Sequence, residues 1–188
     1  MEKNLEKYVS VYKDFLSTEI CDTTIDQLKS VEWKTNVFYN PSTDKTELPD
    51  NGLENDYSFD DISNNKVIMD KLWHAINDYI SSLKMKWFHG WTGYTNLRYN
   101  KYSENRKMAE HFDQINSIFD GERKGIPTLS IIGTLNDDYK GGELVMFEDK
   151  TYKLNKGDVL MFPSTFLYPH RVEPVIEGTR YSYVSWIY

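Results

Sequence analysis

The spacing of apolar residues along the chain changes once, near Trp91. Before that point it is helical. Ile20, Ile25 and Leu28 form one stripe, and Ser17 or Thr18 ahead of them can accept the first free backbone N–H groups, so a helix is predicted within 17–30. A longer stripe runs through Val67, Ile68, Leu72, Trp73, Ile76, Tyr79, Ile80 and Leu83. Its 3.6-residue period predicts an amphipathic helix over 64–86, packed on the outside of a sheet. Between the two, residues 40–62 are polar, include two prolines and show little periodicity, as in a long functional loop or lid.

After Trp91 the period is two. Strands are predicted near 92–102, 108–113, 127–136, 143–147, 151–154, 158–162, 170–175 and 180–187. Turn signals separate them at Asn136-Asp137-Asp138, Gly141-Gly142, Asn155-Lys156-Gly157-Asp158 and Ile176-Glu177-Gly178-Thr179. Helices followed by about eight short strands imply an α+β chain built on a β-sandwich or jelly roll. The expected organisation is one domain over 1–188, with 1–90 as mainly helical support and lid loop and 91–188 as the core.

Composition narrows the partners. With a net charge of −7 and no block of five or six Lys or Arg, the chain shows no basic stripe for nucleic acid. An acidic surface suits a basic protein or peptide instead. Cys21 is the single cysteine, so no intrachain disulfide can form. No run approaches the roughly 18 apolar residues of a membrane span, and MEKNLEKYVS lacks the apolar stretch of a signal peptide. A soluble cytoplasmic protein is the expectation. Aromatics make up 15% of the chain, which either furnishes sheets and pocket walls or reflects an AT-rich coding sequence.

The candidate chemistry begins at His111-Phe112-Asp113. Residues two apart on a strand project to one face, so an imidazole and a carboxylate can enter one cavity. They are two thirds of the facial triad that leaves three positions open on ferrous iron. His170 lies 57 residues beyond Asp113, after the extended dipeptide Tyr168-Pro169, far enough for several strands to return the chain to that cavity. Taken singly, it reads better as a half-buried histidine bonded to a carbonyl. His74 and His89 fall in or just after the second helix.

Arg180 follows His170 by ten residues. A turn at Glu177-Gly178 would make 170–175 and 180–187 neighbouring antiparallel strands, with Arg180, Ser182, Val184 and Trp186 on one face. An inward arginine needs an anion, because an unpaired buried charge costs about 3–5 kcal/mol. A dicarboxylate would supply it, with Ser182 as a second donor. The alternative is an arginine on a solvated outer face.

Together these residues resemble the 2-oxoglutarate/Fe(II)-dependent oxygenase superfamily, in its prolyl 4-hydroxylase-like branch. Leu97-Arg98-Tyr99-Asn100-Lys101-Tyr102 leading to His111-Phe112-Asp113 carries the likeness. So do Leu135-Asn136, Gly141-Gly142-Glu143-Leu144 and Gly157-Asp158-Val159-Leu160-Met161-Phe162-Pro163, over about residues 92–188, with a fainter echo at Asp14-Phe15-Leu16-Ser17. The resemblance implies a double-stranded β-helix, with His111, Asp113 and His170 as metal ligands. Arg180 would take the distal carboxylate of 2-oxoglutarate, helped by Ser182 or Thr134. Tyr102 would close the co-substrate pocket, with Tyr99 as its competitor, and Leu144, Val172 and Trp186 would be apolar walls. Fe(II), 2-oxoglutarate and O2 are the implied cofactors, with ascorbate a further candidate.

The implied reaction hydroxylates an unactivated C–H, in a prolyl residue of a peptide or protein, while 2-oxoglutarate is decarboxylated to succinate. Trp33, Phe38 and Tyr39 are candidate substrate contacts beside the 40–62 loop. The polar stretch Gln114–Gly125, with Arg123 and Lys124, departs from the family pattern as either a substrate-gripping loop or a solvated excursion. The family's helper after the distal His is not evident, Arg171 being the nearest candidate. Alternatives are a free amino acid or other small molecule as substrate, or a non-catalytic jelly-roll binding module.

Overall fold

The two-residue period after Trp91 arises because successive side chains of a strand project to opposite faces of the sheet. The computed structural model describes residues 5–40, 42–47, 53–84, 90–115 and 126–188. A seven-stranded antiparallel sheet has the order β1 (Ser10–Tyr12), β12 (Val159–Pro163), β8 (Leu129–Thr134), β15 (Arg180–Ile187), β6 (Arg98–Tyr102), β5 (Asp56–Ser58), β2 (Lys34–Thr35). A four-stranded sheet has the order β11 (Lys150–Tyr152), β10 (Leu144–Met146), β13 (His170–Val172), β7 (Met108–His111). Two small pairs complete the set: β3 (Phe38–Asn40) with β4 (Lys45–Glu47), and β9 (Lys140–Gly141) with β14 (Val175–Glu177). The architecture is the double-stranded β-helix.

Alternation sorts the side chains into two cores. Tyr99, Leu129, Ile131, Val159, Met161, Tyr183 and Ile187 face outward and pack under the helices α1 (Thr18–Gln27) and α2 (Asn65–Leu83), against Cys21, Ile68, Leu72, Ile76 and Tyr79. Each such fully buried aliphatic contributes roughly 1.5–3 kcal/mol. Tyr102, Ile132, Leu160 and Phe162 face inward, with Met108, Leu144, Met146 and Val172 from the smaller sheet. Gly133 is required between the layers, since a Cβ there would lie 2.0 Å from the Tyr183 ring.

The helices start and stop where the chain signals it. Ser17 caps α1, its Oγ accepting from the Ile20 N–H at 3.3 Å. The helix α2 ends as Lys84 turns left-handed, at φ 50°.

Two expectations need correction. The N-terminal third is more than helical support, because β1, β2 and β5 extend the larger sheet. These strands are two or three residues long, too short to show a period. Nor are 170–175 and 180–187 neighbours: β13 lies between β10 and β7, while β15 pairs with β6 and β8 in the other sheet. The run breaks at Glu173-Pro174, where proline has no N–H to donate, and β14 pairs instead with β9. Facing sheets, rather than adjacent strands, bring His170 and Arg180 to one cavity.

Candidate metal centre and active site

His111 ends β7 and His170 opens β13, where the two are direct register partners. Their rings lie 4.3 Å apart, centroid to centroid. Each Nδ1 faces the carbonyl two residues earlier, His111 that of Ala109 at 2.7 Å and His170 that of Tyr168 at 3.2 Å. A carbonyl only accepts, so both Nδ1 atoms carry a proton, and each ring in its neutral form presents its Nε2 lone pair.

Asp113 lies just past β7, buried, with Oδ1 at 3.4 Å from His111 Nε2 and 3.9 Å from His170 Nε2. Its other oxygen is occupied. Oδ2 accepts from Ser130 Oγ at 2.6 Å and Trp186 Nε1 at 3.0 Å, and Ser164 Oγ lies 2.7 Å from Ser130 Oγ. One ligand atom from each of the three residues lies within 4.8 Å of the others. They are the only such group of three or more His, Cys, Asp or Glu among the described residues.

Electrostatics match the arrangement. Burial alone would raise the Asp113 carboxyl, but His170, His111 and the Ser130 hydroxyl outweigh it and hold the acid well below the usual range. Burial, then repulsion from His111, lowers His170 to about 4, so its ring is neutral at pH 7. Burial also disfavours charge on His111, yet the Asp113 hydrogen bond and charge raise its pKa.

The surrounding cavity, about 50 Å³, takes its walls from the inner faces of both sheets. Arg98, Asn100 and Tyr102 come from β6; Arg180, Ser182, Val184 and Trp186 from β15; Met108 and Val172 from the smaller sheet. Arg180 is 2% exposed, donates to Ser182 Oγ at 3.1 Å and stacks 4.8 Å over the Tyr102 ring. No carboxylate pairs with it among the described residues. Thr134 is the register partner of Ser182, and its buried Oγ1 has no hydrogen-bond partner. Beyond Arg180 a second cavity of about 380 Å³ is lined by Thr134, Leu144 and Gly142, among others.

Several expected residues sit elsewhere. Tyr99 points away from the cavity, its hydroxyl donating to Asn65 Oδ1 at 2.6 Å under α2, which leaves Tyr102 alone beside Arg180. Trp33 packs outside the sheet against Tyr181 and Lys101. Arg171 pairs with Glu173 and Glu110 away from the centre, and His74 is exposed on α2. Phe38 meets the edge of His111 at 6.2 Å. The Tyr39 side chain, His89, residues 48–52 of the lid loop, and Arg123 and Lys124 lie outside the described residues. The Ser130–Ser164 pair, the indole N–H of Trp186, Arg98 and Asn100 were not singled out by sequence. Only the strand parity of 98, 100 and 102 signals the last two.

With this geometry in view, residues 97–188 match the profile described as the 2OG-Fe(II) oxygenase superfamily. The likeness to this superfamily covers the C-terminal part of the chain that carries His111, Asp113, His170 and Arg180. A PKHD-type hydroxylase of Crocosphaera subtropica is 34% identical over 97 residues, covering 49% of this chain and 42% of its own length. Another, of Aliarcobacter butzleri, is 40% identical over 97 residues, covering 47% and 41%. The chain therefore spans less than half the length of these curated relatives.

Solved structures share the chain's fold over nearly its whole length. A viral collagen prolyl hydroxylase from Paramecium Bursaria Chlorella virus-1, in its 2OG complex, aligns with TM-score 0.68 at 18% identity, over 96% of this chain and 94% of its own. A prolyl hydroxylase from Trichoplax adhaerens, in complex with a hypoxia inducible factor oxygen degradation domain peptide fragment, aligns with TM-score 0.69 at 18% identity, over 98% and 86%.

The superfamily's Fe(II) and 2-oxoglutarate fit the residues present. Two imidazoles and one carboxylate oxygen converge, a buried arginine lies on the same cavity wall, and an orphaned buried hydroxyl lines the adjoining cavity with that arginine. No helix among the described residues is long and apolar enough to cross a membrane.

Proposed function

We propose that this chain is an Fe(II)- and 2-oxoglutarate-dependent dioxygenase that hydroxylates an unactivated C–H bond, in a prolyl residue of a peptide or protein. The observation that carries the proposal is the meeting of two Nε2 lone pairs and Asp113 Oδ1 inside one cavity with the carboxylate-free Arg180. The names of the relatives and the titles of the neighbouring structures supply the prolyl substrate.

His111, Asp113 and His170 would hold the metal. The Ala109 and Tyr168 carbonyls fix the imidazole tautomers, while Ser130 and Trp186 aim the Asp113 carboxylate so that Oδ1 is the ligand atom. Arg180 binds the distal carboxylate of 2-oxoglutarate. Thr134 Oγ1 donates beside it, Ser182 orients the guanidinium, and Tyr102 covers its face. Val172 and Leu144 exclude water from the co-substrate. The bound metal and co-substrate supply oxidation by O2, with 2-oxoglutarate decarboxylated to succinate and CO2 as one oxygen enters the substrate C–H bond.

The test is turnover. Iron-loaded protein is incubated with 2-oxoglutarate and either proline-containing peptides or free amino acids. Succinate is quantified and products are weighed by mass spectrometry. One added oxygen on a prolyl peptide, in step with succinate, is the expected result. An oxygen added only to a free amino acid would replace the peptide substrate with a small molecule. Folded protein that holds no iron and turns over no 2-oxoglutarate would leave a jelly-roll binding module.

A further inference from the structure

Arg98 is a second arginine on the cavity wall, and the cofactor chemistry does not use it. It heads the inner face of β6, opposite Val184, while Arg180 lies opposite Tyr102 at the other end of the same pairing. Its partners draw it toward the sheet edge: Nη2 donates to Asn36 Oδ1 at 2.8 Å, and its guanidinium carbon lies 4.4 Å over the Tyr57 ring. Its Nε–H is shut off from solvent and has no partner.

No carboxylate pairs with Arg98 among the described residues. Glu54, buried nearby in the fold, spends both its oxygens on the Ala109 N–H, at 3.2 and 3.3 Å. Asp113 shares the cavity but is committed to the metal. Asn100, next along the inner face, has its Oδ1 taken by Asn55 at 3.0 Å, which leaves its amide N–H groups as neutral donors.

Charge then decides what the residue is for. With Fe(II) and 2-oxoglutarate in place, the two charges of the metal and that of Arg180 are cancelled by Asp113 and the two carboxylates. Arg98 is left as the uncancelled positive charge, half-buried and with its enclosed Nε–H unpaired. A structural arginine would be paired, and a solvated one would not have its Nε enclosed. A planar guanidinium with a free edge matches a carboxylate.

We propose that Arg98 is a substrate-binding residue, taking a carboxylate that the substrate carries close to the C–H bond to be hydroxylated. The proposal rests on the oxygenase function above and deepens it. A terminal α-carboxylate and an acidic side chain flanking the target are the two sources of that group.

The test uses the Fe(II) protein with saturating 2-oxoglutarate, without oxygen, and follows how added ligands perturb the visible charge-transfer band. The ligands are free amino acids, peptides ending in proline, the C-terminal amides of both, and peptides with aspartate beside an internal proline. Free acids are expected to bind roughly 10- to 100-fold more tightly than their amides, the worth of one charge-assisted hydrogen-bonded pair. If the flanking aspartate restores binding to an amide, the carboxylate comes from a side chain; if it does not, from the terminus.

Arg98→Gln should erase the acid–amide difference while leaving the band and the 2-oxoglutarate affinity unchanged, and Arg98→Lys should restore part of it. Acids and amides binding alike, equal weakening of both by Arg98→Gln, or no perturbation by any carboxylate ligand would each overturn the proposal with the cofactor site intact. If Arg98→Gln does not fold, the acid–amide comparison in the unaltered protein decides. A protein that forms no band before any ligand is added removes the oxygenase function and this proposal together.

Discussion

Arg180 and Arg98 project from the inner faces of paired strands into one cavity, and neither meets a carboxylate among the described residues. They differ in what builds their surroundings. Arg180 stands among long central strands and is ringed by Ser182, Thr134 and Tyr102. Arg98 stands where short edge elements, β5 and the stretch around Asn36, close over the sheet. The central wall is built from long paired strands, and in the proposed function it takes the distal carboxylate of the co-substrate. The edge wall is assembled from short segments around Asn36 and Tyr57, and the proposed substrate contact lies there.

The largest effect expected is at the point both arginines serve. Asp113→Ala or His170→Ala should weaken Fe(II) binding by more than about 100-fold, beyond the loss from removing an outer-shell partner. Isothermal titration of the apo-protein checks this, and retention of iron would detach both arginines from any redox role. Arg180→Met should raise the dissociation constant of 2-oxoglutarate about 100-fold or more, the cost of leaving its carboxylate without its charge partner. Iron binding in the absence of 2-oxoglutarate should not change. Equal loss of 2-oxoglutarate from Arg98→Met would erase the distinction between the two walls.

Next in size, Ser130→Ala and Trp186→Phe should each cost about 10- to 100-fold in metal affinity, because each frees Asp113 Oδ2 to rotate. Lowering pH should weaken metal binding about tenfold per unit once His111 protonates, since ligation displaces that proton. Its pKa is raised above 6.5 in the metal-free fold, so the loss begins above that value, whereas His170, at about 4, stays neutral. Smallest of all, Arg180→Met should leave the melting temperature of the apo-protein unchanged or slightly raised. Replacing an unpaired buried charge with an apolar side chain is neutral or stabilising, and a clear drop would make that arginine structural.

Much of the central wall was legible in the sequence, because long strands packed on both faces must alternate. The parity of 180, 182, 184 and 186 announced an inner face. The H-x-D pair with a distant His announced what it surrounds. The same parity rule put Arg98 and Asn100 on the face of Tyr102, but nothing local marks such an arginine as unpaired. The absence of a carboxylate is a property of the assembled cavity. Ser130 escaped notice, and Trp186 was read only as an apolar wall, for a related reason: serine and tryptophan on strands are ordinary until an aspartate from another part of the chain arrives at hydrogen-bond distance. The placement of β13 and β15 in different sheets was hidden because a Gly-containing turn reads as a hairpin, whereas Pro174 and the β9–β14 pair carry the chain across.

The central claim is tested most directly by titrating the apo-protein with Fe(II) and then 2-oxoglutarate in the absence of oxygen, following the visible metal-to-ligand charge-transfer band. The account predicts a band that saturates near one iron per chain, disappears in His111→Ala and requires far more 2-oxoglutarate in Arg180→Met. A correctly folded protein that shows no band at any concentration would contradict it.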